Sequence, residues 1–181
     1  MDFKQLYIFV EGTDDERFVE TVIKPYLLKH YVYVKTIPYA KLKKIVIEGY
    51  IKTYKKQGSS DYIFLCDLDA RGDKSLCVTS KKQSIQNKYG NFLELEKIAV
   101  VKEEIESWYL AGITPENMAK FKIKAFEETE STNKEDFEKM IPKNFASKTD
   151  FMVEILKTYS IENAIEYNAS LGYFKRKFID I

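Results

Sequence analysis

The sequence predicts an α/β fold: an open, mostly parallel four-stranded sheet with helices on both faces and a helical C-terminal extension. Three observations lead there. Short apolar runs alternate with amphipathic stretches through residues 1–112, the pattern of parallel strands joined by crossover helices. Two of those runs end abruptly in acids: 6–10 stops at Glu11-Gly12, and 62–66 stops at Asp67-Leu68-Asp69. From Thr114 onward the strand pattern is lost and short helical periodicities take over.

Residues 6–10 are apolar and aromatic, as a buried strand requires. Gly12 supplies a turn. Thr13 and Glu16 have capping-box spacing, and the apolar positions from Phe18 to Leu27 recur at helical intervals, predicting a helix to about residue 29. Residues 31–36 alternate around Val32 and Val34 as a second strand. A helix follows over 41–56, with Leu42, Ile45, Val46, Tyr50 and Ile51 on one face and lysines elsewhere, ended by Gly58-Ser59-Ser60. The third strand is 62–66. A polar, lysine-rich helix is predicted over 74–89, closed by Gly90, with Asp73 as its cap. Residues 97–101 form the fourth strand, and 103–111 a helix stopped by Gly112. Beyond it, 133–140, 148–159, 161–167 and 171–178 read as short helices, and 127–138 as a polar, acidic loop or helix start. The whole is expected to be a single domain over 1–181, with a core of about 1–112 and an extension of about 113–181.

Composition narrows the function classes. Hydrophobic residues make up 45% and charged residues 31%, ordinary globular values. The net charge of +1 is no global polycation, so any basic patch must be local. No signal sequence and no long apolar run is seen, and a cytoplasmic protein without a membrane role is expected. The two cysteines lack metal-type or redox-type spacing, and Cys66, inside an apolar strand, reads as a core residue. His30, the only histidine, falls between helix and strand and is expected in a turn.

In an open parallel sheet the carboxyl ends of the strands line the functional crevice. Glu11, Asp67 and Asp69 would then lie near one another, and close carboxylates repel unless a cation sits between them. Oxygen-only ligands suit a hard cation, Mg²⁺ or Mn²⁺. Residues two apart on a strand point the same way, so Asp67 and Asp69 can face one ion together for as long as the strand persists. In the 103–111 helix, Glu104 and Glu106 lie about 200° apart and cannot share a face, so Glu104, nearer the strand end, is preferred. Trp108 reads as core or as a wall of the cleft.

These residues resemble the Toprim family, whose pattern is a glutamate after the first strand, usually followed by glycine, and a D-x-D after the third. The chain is most similar to the stand-alone Toprim-like proteins related to overcoming-lysogenization-defect (OLD) nucleases. Val10-Glu11-Gly12-Thr13-Asp14-Asp15 resembles their opening, with Asp15 at the second acidic position and the threonine one place early. Glu104-Ile105-Glu106-Ser107-Trp108 resembles their E-x-E-x-W segment. The resemblance spans about residues 6–111 by motif. It implies a Toprim-like fold and metal-dependent phosphodiester hydrolysis of nucleic acid, DNA ahead of RNA. Glu11, Asp15, Asp67, Asp69, Glu104 and Glu106 would be metal ligands, and a lysine in the C-terminal region, Lys148, would face the phosphate. Arg71 is a second cationic candidate. It also implies an ATPase partner protein and a role in defence against mobile elements.

The same residues admit other readings. The D-x-D is similar to the first motif of haloacid-dehalogenase phosphatases, but Ala70-Arg71 follows it and it lies on the third strand. A non-catalytic Toprim-like module that binds a metal or a partner is the alternative from another class. Lysines at 41–56 and 74–88 would rim the cleft and hold a nucleic-acid backbone in a salt-sensitive, sequence-independent way.

Overall fold

The computed structural model describes residues 4–69 and 77–181. Arg71, Asp73 and the predicted start of the lysine-rich helix at residue 74 lie outside the described residues. The chain divides into two units, Met1–Val100 with Ile181 and Val101–Asp180. The boundary precedes the change of pattern at Thr114.

Four strands, β1 (Gln5–Val10), β2 (Tyr33–Pro38), β3 (Ser60–Asp67) and β4 (Ile98–Val101), form an open all-parallel sheet in the order β2-β1-β3-β4. The predicted sheet is therefore present. β1 lies between β2 and β3, with Val10 level with Pro38 and Phe9 level with Phe64. Tyr62 to Cys66 are all buried, as a strand covered on both faces demands.

Alternation sorts the side chains between two faces. Phe9, Tyr62, Phe64, Cys66, Ile98 and Val100 join a core closed by α3 (Lys44–Gln57) and α4 (Val78–Tyr89). Leu6, Ile8 and Val10 point the other way and are equally buried. On that side run α1 (Thr13–Phe18), a π-helical turn (Val19–Ile23) and α2 (Lys24–Leu27). Pro25 accounts for the wide turn, since its ring would clash with the carbonyl four residues earlier in an α-helix and it has no N–H to donate. α3 stops at Gly58, whose φ of +67° is the left-handed conformation glycine adopts without a Cβ clash.

The expected capping box is displaced by one residue. Gly12, not Thr13, is the N-cap of α1, and Asp15 reaches back to it: its Oδ2 accepts the Gly12 N–H at 3.1 Å. Glu16 instead accepts a hydrogen bond from the Thr36 hydroxyl of β2, 3.0 Å away. His30 lies in the turn after α2, as expected.

The second unit is helical: α5 (Glu106–Ala111), α6 (Pro115–Phe121), α7 (Lys134–Met140), α8 (Lys148–Leu156), α9 (Ile161–Tyr167) and α10 (Ala169–Phe174), the last running into a π-helical turn, Lys175–Ile179. α6 is an element that periodicity missed. Its signal is local: Thr114 caps the Asn117 N–H, and Pro115 occupies the first helical position. Asn168 is the polar hub. Fully buried, it donates to Ser107 Oγ and Thr129 Oγ1 and accepts from Ser170 Oγ and the Leu171 N–H. Each bond offsets a desolvation cost of about 1–3 kcal/mol that an unmatched buried polar group would carry. Among the described residues no helix is long and apolar enough to cross a membrane.

Candidate functional site

Glu11 follows the last residue of β1 and is exposed. The neighbouring strand supplies its partner. Tyr39 comes directly after β2, is held by its own N–H to the Val10 carbonyl at 2.8 Å, and donates its hydroxyl to Glu11 Oε2 at 3.4 Å. The ring is buried, packed on Phe64 with centroids 4.3 Å apart and edge-on to Tyr89. Sequence reasoning passed over Tyr39. Its signal was positional: it stands where β2 ends, as Glu11 stands where β1 ends.

Asp67 is the final residue of β3, and its Oδ1 is shut off from solvent. Leu68 is buried beneath it, and Asp69 is exposed with φ at +52°. Strand geometry thus ends between the two aspartates, and strict strand parity does not carry from Asp67 to Asp69. Aspartate enters the left-handed region more readily than most residues. Lys81 of α4 donates to the Leu68 carbonyl at 3.2 Å and so ties the helix to the D-x-D backbone.

Electrostatics link these positions. Burial pushes the Cys66 thiol up to about 12; Lys81 draws it down, and the charges of Asp67 and Glu11 push it further up. Burial likewise holds the Tyr39 hydroxyl far above its ordinary range, reinforced by Cys66, Glu11 and Asp15. One neighbourhood therefore contains Glu11, Asp15, Tyr39, Cys66, Asp67 and Lys81. It lies at the carboxyl ends of β1, β2 and β3.

The donors suit a hard cation in kind. They are carboxylates, and the one thiol among them stays protonated at neutral pH, so a thiophilic metal finds no ligand. In number they are sparse: among the described residues no group of three or more His, Cys, Asp or Glu is gathered to hold a metal ion. Mg²⁺ does not need one, because it keeps several waters and binds through one or two carboxylates plus substrate phosphates.

The other predicted site residues belong to the second unit. The helix expected over 103–111 begins only at Glu106, because Glu103 has φ at +60°, a left-handed conformation costing about 1–2 kcal/mol that no α-helix contains. Glu104 therefore lies outside the helix. Its carboxylate accepts the Lys134 N–H at the start of α7. Glu106 is buried and pairs with Lys148 at 2.6 Å. Trp108 is fully buried, with Nε1 donating to Ser170 Oγ at 2.8 Å.

The fold and these strand-end carboxylates define an α/β protein with acidic residues at the carboxyl edge of a parallel sheet. Comparison of the chain with protein-family models, with curated proteins and with solved structures returned no match.

Proposed function

We propose that this chain is a divalent-metal-dependent phosphodiesterase acting on nucleic acid, DNA ahead of RNA, of the Toprim/OLD-like kind. The reading rests on one observation above others. Glu11 directly follows β1 and Asp67 ends β3, the neighbouring parallel strand, so both carboxylates stand at the same edge of the sheet. Carboxylates at one sheet edge are the oxygen donors that a hard divalent cation takes.

In this reading one or two of Glu11, Asp67 and Asp69 hold Mg²⁺ or Mn²⁺, which keeps waters at its other positions, and Asp15 fixes the turn by accepting the Gly12 N–H. When bound, the cation supplies Lewis-acid polarisation of a phosphoryl oxygen and a water of lowered pKa. The chain's own groups position the rest. Tyr39 limits the swing of the Glu11 carboxylate, and Lys81 anchors the D-x-D backbone through the Leu68 carbonyl. Functional weight on Glu104, Glu106 and Lys148 comes from the Toprim/OLD-like resemblance, as do the ATPase partner and the defence role.

A second reading is a non-catalytic metal- or partner-binding module that uses the same carboxylates. A cleavage panel separates the two. Single-stranded DNA, duplex DNA and RNA are incubated with Mg²⁺ or Mn²⁺, with Glu11→Gln and Asp67→Asn as controls. Metal-dependent cleavage that both substitutions abolish supports the enzyme. Metal binding without cleavage of any substrate supports the module.

A further inference from the structure

The most distinctive surface outside the carboxylates is a row of tyrosines at the sheet edge. Tyr7 of β1 stacks on Tyr54 of α3 with centroids 3.8 Å apart and planes 6° from parallel. Tyr33 of β2 meets Tyr7 edge-on at 6.2 Å, and Tyr50 stacks beside Tyr54 at 6.1 Å. The inner rings form a firm backing, while the outer two stay open: Tyr33 is 45% exposed and Tyr50 41%. Between and beside them lie Lys35 and Val46, both exposed.

This flank is exposed because β2 is an edge strand. Val34 and Thr36 turn to the α1 side and are buried, leaving Tyr33 and Lys35 on the α3 side. α3 buries Ile47, Ile51 and Tyr54, not Val46 or Tyr50.

The segment that carries the outer tyrosines is rich in lysine: residues 31–58 hold seven lysines and one acid, Glu48. Lys52 is paired with Glu48 and Lys55 with Glu94. Lys35, Lys41 and Lys43 are exposed and form no ion pair among the described residues. Aromatic faces interleaved with uncompensated lysines are the elements of a stacking platform in a positive groove.

We propose that the β2–α3 flank is a single-stranded DNA track, with bases stacking on Tyr33 and Tyr50 and the backbone held by Lys35 and Lys43. This deepens the nuclease reading and rests on it for the choice of DNA. Charge complementarity selects a polyanion. The open ring faces select unpaired bases, because a duplex keeps its base faces covered. The track has a direction. β2 spans roughly 20 Å at about 3.3 Å per residue. Tyr33 stands at one end, and at the other Pro38 is level with Val10, the residue before Glu11. A strand lying along β2 would lead from the platform to the carboxylates.

The test measures binding without chemistry. A short fluorescent oligothymidylate is titrated with the full chain in EDTA, by anisotropy, so that cleavage plays no part. Tyr33→Ala and Tyr50→Ala should each weaken binding about fivefold or more, and Tyr33→Phe and Tyr50→Phe, which keep the ring face, should not. Lys35→Ala and Lys43→Ala should each lower the salt slope by about 0.7. A matched duplex should bind at least about tenfold more weakly. Wild-type affinity in the alanine variants, equal affinity for duplex, or several-fold tighter binding of the matched RNA would overturn the proposal. Circular dichroism confirms that each variant is folded. Tight binding without cleavage in the earlier panel would leave the track standing and remove the nuclease; cleavage without binding that depends on the two tyrosines would do the reverse.

Discussion

Lys148 Nζ lies 2.6 Å from Glu106 Oε1, and the glutamate side chain of this pair is only 5% exposed. A carboxylate so buried depends on its cation. Removing one partner of a buried pair costs about 3–5 kcal/mol, because the other charge is stranded, whereas replacing both is far milder. Lys148→Met should therefore destabilise the protein strongly, and Glu106→Gln with Lys148→Met should recover much of the loss. Urea denaturation of the single and double variants measures it. Equal destabilisation in both would show that the pair is not coupled.

Metal binding should raise the melting temperature. A ligand that binds only the folded state stabilises it by mass action, about 2.7 kcal/mol at a hundredfold excess over Kd. Excess Mg²⁺ or Mn²⁺ should thus shift wild-type melting upward, and Asp67→Asn should remove the shift. Unchanged melting, with no heat of binding in calorimetry, would remove the proposed ion.

The two thiols should differ in reactivity. Cys66 is buried and held protonated up to about 12, chiefly by burial. Cys77 is exposed, and hydrogen bonds from the Ser80 hydroxyl and backbone lower its pKa as it caps α4. A thiol reagent at mildly alkaline pH should modify one group quickly in the native protein and the second only after unfolding. Mass spectrometry assigns the order, and rapid native labelling of Cys66 would contradict the buried site.

Alkali should unfold the protein with a tyrosine signature. Burial raises the hydroxyls of Tyr39, Tyr54 and Tyr159 well above the ordinary range and pushes Tyr62 up to about 12. An acid whose folded pKa is raised stays neutral in the native state while the unfolded chain ionises. Its contribution is complete below the unfolded value of about 10 and is lost as pH rises above it. Tyrosinate absorbance and loss of circular dichroism should therefore rise together above about pH 10. Ionisation of all thirteen tyrosines ahead of unfolding would contradict this.

Trp108 is the only tryptophan and is fully buried against Phe174. Trp108→Ala should cost about 3–5 kcal/mol by leaving a cavity. Because its indole donates to Ser170, which also bonds Asn168, Ser170→Ala should shift the fluorescence of the native state. An unchanged emission maximum would mean that this hydrogen bond is not sensed.

Much of the first unit was legible because each of its elements is determined by local chemistry. The runs at 6–10 and 62–66 are apolar on both faces, which a central parallel strand requires, and both are strands. The acids after them had to lie at the carboxyl edge, since a parallel sheet ends all its strands on one side. What was not legible depends on geometry that one residue can change. A left-handed Glu103 moves the start of α5 to Glu106 and takes Glu104 out of the helix, and no periodicity signals a single φ. Gly12 caps α1 in place of Thr13 because Asp15 is the acid that reaches back, a choice between two carboxylates one residue apart. Tyr39, the closest hydrogen-bond partner of Glu11, is separated from it by 28 residues and is brought there only by the pairing of β2 with β1. The sequence determined which strands end in acids; the register between strands decided which side chain each acid meets, because register is a property of the assembled sheet and not of any one segment.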